Sequence, residues 1–441
     1  MQSTRRTITA AVTMTALTIS LAACGGGGDD EGSEGNTNGA TSGDAGGDGG
    51  GDPITLSVAT FNEFGYEDLF EEYESLHDNI TIEHVKADTA DNARDALRNS
   101  LGADSGASDI EAVEVDWLVE FMQYPDKFTD LTDPSVEGRW QDWKSDAATT
   151  DDGTLLAYGT DNGPEAICYR ADLFGEAGLP TDRDEVATLL EGDWQHYFDV
   201  GKEFVASSDA AWFDSANATW QGMINQVEVA YQDESGELIA TTNPEVKALY
   251  DQVLTAAVDD ELSAGLGQWS ADWNNGFQQS SFATMLCPGW MLGIVEGNAA
   301  GIEGWDVANV FPGGAGNWGG SYLTVPAQGD NIEAATALAN WLTAPEQQIK
   351  AFEAKGTFPS QVDALESEEL LSSTNAFFNN APTGEIFVDR AKAITFQPYK
   401  GPDYFSVNTA LQDALTRVDV DGTDDATSSW DKFVADVEAL G

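Results

Sequence analysis

The chain has 441 residues, of which 41% are hydrophobic and 22% charged, and its 77 acidic against 19 basic side chains give a formal net charge of −58. A chain of this length and apolar content can bury a large core and is expected to form two lobes or domains rather than one. So negative a surface repels phosphate backbones and anionic lipid headgroups, which argues against nucleic acid as a partner. Strong acidity also keeps proteins soluble at high salt, so it can reflect the habitat rather than the activity.

The N-terminus has the layout of a secretory signal peptide. Arg5 and Arg6 form a positively charged start, and residues 8–21 are an apolar segment that contains several Thr. The sequence LAAC, which ends at Cys24, then places small residues before a cysteine, as in a bacterial lipobox. Residues 1–23 are therefore predicted to be a lipoprotein signal peptide, and Cys24 is predicted to carry the lipid.

A flexible tether is predicted to follow. Residues 24–52 start at the lipidated cysteine and are rich in Gly, Asp and other small polar residues, with no basic or aromatic side chain. Such a segment buries nothing and is expected to remain disordered. The protein is thus predicted to sit at the extracellular face of the cytoplasmic membrane and to contact the membrane only through its lipid anchor.

From residue 53 the chain alternates between strand and helix patterns. Strands are predicted at 54–59, 80–85 and 110–115, and helices at 64–77 and 90–101. This alternation indicates βαβ units, a mainly parallel sheet and ligand sites at the carboxyl ends of the strands. Two residue pairs fit that rule, Asn62 with Glu63 after the first strand and Asp116 with Trp117 after the third.

The middle of the chain adds a strand that begins in a polar turn. Residues 159–164 form that turn, and the strand at 165–170 is expected to cross from one lobe to the other. An amphipathic helix at 244–258 begins with Asn243 as its N-cap. Further helices are predicted at 173–178, 194–205, 332–342, 345–353, 406–418 and 428–440.

The stretch that leads to Trp290 is a candidate cleft wall. A short apolar strand at residues 283–286 runs into Cys287 and breaks at Pro288 and Gly289. Since Pro and Gly end a strand and turn the chain, Trp290 is predicted to stand at a strand end. An indole there can line a cleft with its flat apolar face and one polar edge. A tryptophan that caps a core is the alternative.

Other aromatic residues lie in segments that are poorly suited to an ordinary core. The dense glycines of residues 311–326 indicate a loop that approaches another part of the protein closely, and this loop carries Trp318 and Tyr322. Three further aromatic residues lie beside polar or Gly-Pro segments: Trp269, Trp273 and Tyr399.

Cys168 and Cys287 are predicted to form one disulfide. Exported proteins with two internal cysteines commonly pair them. The bridge would close a loop of roughly 120 residues and contribute about 4–5 kcal/mol in the chain-entropy treatment. Two free, buried cysteines are the alternative.

Catalytic and metal-binding patterns are missing from the sequence. It contains no Gly-x-Ser-x-Gly nucleophile motif, no Walker loop and no dinucleotide-binding glycine pattern after a strand. His77, His84 and His196 lack metal-ligand spacing, and residues 419–425 lack the final Glu of a calcium loop. No metal and no cofactor are therefore expected. The acid pair of a glycosidase stays open, because nothing singles out two of the many carboxylates.

Four segments together resemble a known family. They read GPEAICYR (163–170), MLCPGWMLG (285–293), VFPGGAGNWGGSYLTVP (310–326) and WLTAPEQQ (341–348). With the lipobox, the tether and the βα pattern, they resemble the extracellular solute-binding proteins (family 1) of ABC sugar importers over essentially all of residues 53–441. The similarity is greatest to the actinobacterial lipoproteins that bind cellobiose and cello-oligosaccharides.

The resemblance implies a two-lobed α/β fold of the periplasmic-binding-protein type (type II), with a mainly parallel sheet in each lobe and a ligand cleft at the hinge. Lobe I would comprise residues 53–163 and 311–362, and lobe II residues 164–310 and 363–441. Such a protein closes on an oligosaccharide and delivers it, as a monomer without a cofactor, to the transmembrane subunits of an ABC permease.

The resemblance also implies a set of sugar-binding residues. Trp290 would be the main stacking platform in lobe II. The remaining candidates are Trp117, Asp116, Asn62 and Glu63 in lobe I, with Trp318, Tyr322, Trp269, Trp273 and Tyr399 less securely placed. A receptor for a maltose-type sugar, a secreted glycoside hydrolase and a purely structural surface lipoprotein are the alternatives.

Overall fold

Apolar strands alternate with amphipathic helices from residue 54 onward. The computed structural model describes residues 52–150, 152–233, 235–394 and 398–440, so the predicted signal peptide, Cys24 and nearly all of the tether lie outside the described residues. In chain order the strands are β1 (Ile54–Phe61), β2 (Ile80–Ala87), β3 (Ile110–Glu114), β4 (Ala157–Gly159), β5 (Asp161–Asn162), β6 (Glu165–Arg170), β7 (Thr284–Pro288), β8 (Trp305–Ala308), β9 (Ser321–Thr324) and β10 (Phe358–Pro359).

The helices connect these strands and cover the sheets. In chain order they are α1 (Glu67–Leu76), α2 (Ala90–Gly102), α3 (Val115–Met122), α4 (Asp142–Ala147), α5 (Ala171–Glu176), α6 (Arg183–Leu190), α7 (Trp194–Val205), α8 (Ala216–Ile224), α9 (Pro244–Leu254), α10 (Ala271–Gln279), α11 (Met291–Asn298), α12 (Ile332–Leu342), α13 (Pro345–Lys355), α14 (Val362–Leu365), α15 (Glu368–Leu371), α16 (Thr383–Ala393), α17 (Tyr404–Asp419) and α18 (Ala426–Glu438). Within the described ranges, no helix has the length and apolar content needed to cross a membrane.

Five strands form the first sheet, in the order β2-β1-β3-β9-β4. β1 pairs in parallel with β2 and β3, whereas β9 pairs antiparallel with β3 and β4. The inward positions of β1 are apolar and fully buried, as at Leu56 and Val58, which is the alternation expected of a strand on a core. Because β1 and β3 run in the same direction, their carboxyl ends lie side by side at one edge of the sheet.

The second sheet has three strands in the order β7-β6-β8, and both pairs are antiparallel. The prediction of a mainly parallel sheet in each lobe is therefore wrong for this sheet. Apolar runs locate strands, but the direction in which a distant strand returns depends on the path of the intervening helices. β5 and β10 pair separately as a short antiparallel ribbon.

Two hydrophobic cores underlie the two lobes. The core of the first lobe packs β1, β3, β4 and β9 against α1, α2, α3 and α12. The core of the second lobe packs β6, β7 and β8 against α7, α8, α9, α16 and α17, among others. We use first lobe and second lobe below for the elements that belong to these two cores.

The disulfide between Cys168 and Cys287 braces the second lobe. It joins β6 to β7 across 119 residues of sequence, with the two Cα atoms 5.4 Å apart. Both cysteines are fully buried in the core of that lobe. The pairing agrees with the prediction made from the export signal and the cysteine count.

Some elements departed from the sequence predictions. The Gly-rich segment 311–326 contains β9, and α8 and α16 were not predicted as helices. All residues of α8 except Asn217 are buried. A helix buried on all sides lacks the one-sided apolar stripe by which a surface helix is recognised.

Candidate functional site

A cavity of about 360 Å³ lies where the two lobes meet. The first lobe lines it with the segments that follow β1 and β3 and with the start of α2, and the second lobe lines it with α8, α17 and the segments before α10 and α11. Six of the ten residues predicted to bind sugar line this cavity: Asn62, Glu63, Asp116, Trp269, Trp290 and Trp318.

Three tryptophans form the aromatic wall of the cavity. The rings of Trp269 and Trp290 stack with centroids 6.1 Å apart and planes inclined by 26°. Trp318 meets Trp290 edge to face at 5.2 Å, and the indole N–H of Trp290 donates to the carbonyl oxygen of Trp318 at 2.8 Å. This bond fixes the ring plane of Trp290, so the wall is formed before any ligand arrives.

Local chain geometry explains why Trp290 stands at the cavity. β7 continues through Pro288, one pairing step further than predicted, and Trp290 then caps α11. Gly163 allows the loop that carries Trp318 to approach, because a Cβ at Gly163 would lie 1.7 Å from the carbonyl oxygen of Trp318. A side chain at position 163 would therefore push this loop away from Trp290.

The first lobe contributes polar groups from the ends of two adjacent strands. Asn62 and Glu63 follow β1, while Glu114 and Asp116 lie at the junction of β3 and α3. Asn62 adopts a left-handed backbone conformation with φ of 49°. Trp269 on the opposite wall does so too, with φ of 71°. Such strained conformations are enriched at binding sites, where the surrounding structure holds them in place.

Basic residues behind the wall neutralise two of these carboxylates. Glu63 forms ion pairs with Lys86 at 2.5 Å and Lys355 at 3.3 Å. Asp116 pairs with Lys400, a residue of the second lobe that also donates to the Oδ1 atom of Asn225 at 3.2 Å. The Lys400 pair therefore connects the two lobes directly.

The floor of the cavity holds a buried cluster of Glu114, Asp161 and Lys144. The ammonium of Lys144 donates to the carbonyl oxygen of Asp161 at 2.7 Å and lies 3.8 Å from the ring centroid of Tyr322. Burial lowers the pKa of Lys144 to about 7, although the charges of Asp161 and Glu114 oppose this shift. Burial raises the pKa of Asp161, and burial together with the charge of Asp116 raises the pKa of Glu114 well above its usual value.

Three of the predicted aromatic residues lie in the cores instead of the cavity. Trp117 follows Asp116 on α3, and a rotation of about 100° per helical residue turns it into the first core, where it is fully buried. Trp273 is buried in the second core, and its indole N–H donates to Asp214 at 2.8 Å. Tyr322 is buried in β9.

Tyr399, the fourth, lies away from the cavity at the surface of the second lobe. Its backbone forms a bridge with Val229, and its side chain is half-buried. The strand-end and glycine patterns therefore located the cavity, but the side on which each neighbouring aromatic ring packs depends on helix phase and strand register.

Sequence reasoning missed several residues of the site. Glu114 could have been found, because it precedes Asp116 at the same strand end. The polar residues on α8 and α17 carried no signal, since a polar face on an amphipathic helix predicts solvent as readily as a ligand. These residues are Asn217, Gln221, Asn408, Thr409, Gln412 and Asp413. Within the described residues, no cluster of three or more potential metal ligands occurs.

The chain belongs to the bacterial extracellular solute-binding proteins, whose family pattern matches residues 68–379. Members of this family bind solutes outside the cytoplasm and are not enzymes. A solved extracellular solute-binding protein of family 1 is 48% identical to this chain over 88% of this chain and 99% of that one, with a TM-score of 0.77. This similarity confirms the two-lobed α/β fold.

More distant solved structures share the fold. The ABC transporter associated binding protein from B. animalis subsp. lactis Bl-04, in complex with β-1,6-galactobiose, is 19% identical over 88% of this chain and 97% of that chain, with a TM-score of 0.75. Maltose-bound T. maritima MalE3 is 15% identical over 88% and 100%, with a TM-score of 0.67. A search of curated protein sequences gives no match.

Proposed function

We propose that the protein is the substrate-binding lipoprotein of an ABC importer and captures a cellobiose- or cello-oligosaccharide-like sugar in the cavity between its lobes. The observation that carries this proposal is the stacked pair Trp269 and Trp290 on one lobe, with Glu114 and Asp116 lining the same cavity from the other. A sugar ring presents C–H faces to indoles and hydroxyls to carboxylates, so it complements both walls.

Capture proceeds by hinge closure. The two lobes already touch through the Lys400–Asp116 pair and through Arg94 of α2, whose guanidinium lies 4.4 Å from the ring centroid of Phe405 on α17. A ligand that contacts both walls adds to these contacts only when the lobes are shut, so it shifts the population towards the closed state. The closed protein then presents the sugar to the transmembrane subunits of the permease.

A thermal-shift screen over a sugar panel tests the proposal. The panel contains cellobiose, cellotriose, maltose and galactobiose, the last two because solved relatives of low identity are described with such ligands. A ligand at 100-fold its Kd adds about 2.7 kcal/mol to the free energy of unfolding. We expect the largest shift with cellobiose or cellotriose.

The same screen separates the alternatives. A larger shift with maltose would make the protein a maltose-type receptor, and no shift with any sugar would contradict sugar capture. Chromatography of the sugars after incubation completes the test: intact cellobiose supports a receptor, whereas glucose release would indicate a glycoside hydrolase.

We extend the proposal to the anchor. Cys24 carries the lipid and the Gly-rich tether holds the folded body near the permease. Full-length protein expressed with its signal peptide is expected in the membrane fraction, and Cys24→Ser is expected to release it to the medium. Equal membrane retention of both proteins would contradict the anchor.

A further inference from the structure

Every charged side chain among the described residues that line the cavity is acidic. The six are Glu63, Asp91, Glu114, Asp116, Asp161 and Asp413. The lining contains no Lys, Arg or His. Glu63 and Asp116 have lysine partners behind the wall, so the remaining four determine the charge that a ligand meets.

The buried groups at the floor are out of charge balance. Four carboxylates meet two ammonium groups there: Glu114, Asp116, Asp161 and Glu165 against Lys144 and Lys400. Glu165 is fully buried, and neither of its oxygens has a hydrogen-bond partner within the described residues. With all six groups ionised, two negative charges lack a counter-charge in a region from which water is largely excluded. Uncompensated buried charge is costly, so the site favours a cation or protons.

Asp161 directs a free oxygen at this space. It is only 6% exposed, and its Oδ1 atom accepts hydrogen bonds from the Thr160 hydroxyl at 2.7 Å and the Ser321 N–H at 2.9 Å. Its Oδ2 atom accepts none from the described residues, although Asp161 lines the cavity. A donor on the ligand can therefore bond this oxygen without displacing a protein partner.

The rim repeats the pattern with one carboxylate from each lobe. Asp91 lies in the first turn of α2, and Asp413 lies on α17. Partial enclosure raises the pKa of Asp91, and the charges of Asp95 and Asp413 add to this rise. Neither Asp91 nor Asp413 forms an ion pair within the described residues. A cation between them would remove the repulsion that opposes closure.

We infer that the preferred ligand is an amino-oligosaccharide, a sugar chain with at least one protonated amine, rather than a neutral oligosaccharide. The inference rests on the proposed function, since it concerns the same cavity. The amine supplies the counter-charge that the floor and rim lack, and its donors reach Asp161 and Glu114. The stacked indoles add to the attraction, because an aromatic face binds a cation as well as a sugar ring.

Three disaccharides with the same β-1,4 linkage test the inference by isothermal titration calorimetry at low salt and about pH 6, below the pKa of an ordinary amine. They are cellobiose, which is neutral, the disaccharide of glucosamine, which is cationic, and its N-acetylated form, which is neutral again. We expect the amino form to bind at least about tenfold more tightly than cellobiose, or about 1.4 kcal/mol. This advantage should shrink as salt is added, because salt screens the charges at the rim.

Variants identify the groups responsible. Asp161→Asn keeps the shape and the Ser321 contact but removes the charge, and it should lower the ratio of the two affinities about tenfold. The matched control is Asp146→Asn, an exposed residue of α4 that does not line the cavity and should leave the ratio unchanged. The salt titration of the unaltered protein provides the same test should the Asp161 variant fail to fold.

The outcomes are distinguishable. If cellobiose binds as tightly as the amino form, with no effect of salt on their ratio, protons balance the buried carboxylates and the inference is overturned, while the proposed function stands. If none of the three disaccharides nor the longer sugars binds, the proposed function fails, and the inference fails with it.

Discussion

The two walls of the cavity are built from different chemistry. The first lobe brings carboxylates to the ends of β1 and β3, and these charges are held by lysines behind the wall. The second lobe brings indole rings at the ends of loops, backed by the polar faces of α8 and α17. One wall therefore supplies hydrogen-bond acceptors and the other supplies flat apolar area.

The difference shows how each kind of wall is stabilised. Parallel strand ends place several polar side chains at one edge without special sequence requirements. An exposed indole needs fixing from behind, which the second lobe achieves with the Trp290 N–H bond to Trp318 and with the disulfide under β7. Breaking each device in turn tests the comparison.

Removal of the disulfide is expected to have the largest effect. Cys168→Ser with Cys287→Ser should lower the free energy of unfolding by about 3–4 kcal/mol, because the unfolded chain regains the freedom of a 119-residue loop. Urea unfolding of the variant, with the unaltered protein in the presence and absence of reductant as control, measures the loss. An unchanged midpoint in all three samples would show that the bridge does not brace the second lobe.

Trp290→Ala tests the aromatic wall itself. The affinity for the best sugar of the panel should fall about 30- to 100-fold, or about 2–3 kcal/mol, because a ring fixed at the centre of the site acts as a hot spot. Calorimetry measures the loss, and cooperative unfolding of the ligand-free variant shows that the fold survives. The control is Tyr124→Ala, an exposed aromatic residue outside the cavity that should bind as the unaltered protein does.

Two buried acids give each lobe its own pH dependence. Burial raises the pKa of Glu111 in β3 and of Asp214 in the second core to about 7. Since the folded state holds these protons more tightly than the unfolded chain, their contribution to stability is present at acidic pH and is lost as pH rises from about 4 through about 7.

Substitution of either acid by its amide should flatten this decline. Asp214→Asn and Glu111→Gln are each expected to be about 1–2 kcal/mol more stable than the unaltered protein at pH 8, and to show little difference near pH 4. Urea unfolding at both pH values measures this, with Asp146→Asn as the exposed control. Parallel curves for all four proteins would mean that neither acid is protonated in the fold.

Trp269→Ala should have the smallest effect. The Trp269 side chain is 40% exposed and only extends the platform of Trp290, so the affinity should fall about fivefold, or about 1 kcal/mol. The same titration measures it. A loss as large as that of Trp290→Ala would reverse the ranking of the two rings.

The sequence predicted the site best where one residue type and one chain position decide the outcome. Asn62, Glu63 and Asp116 followed from the strand-end rule, and Trp290 followed from the Pro-Gly break. Trp117 failed because adjacent residues on a helix face different ways. The face of α17 and the antiparallel second sheet could not be predicted, since both depend on contacts between distant segments. The predicted residue limits of the two lobes stay a prediction.

The most direct test of sugar capture between unlike walls is a crystal structure of the protein with the best ligand of the panel. The account predicts a sugar ring stacked on Trp290, with hydroxyl or amine groups bonded to Glu114, Asp116 or Asp161 and both lobes in contact with the ligand. A sugar bound outside this cavity, or held by one lobe alone, would contradict it.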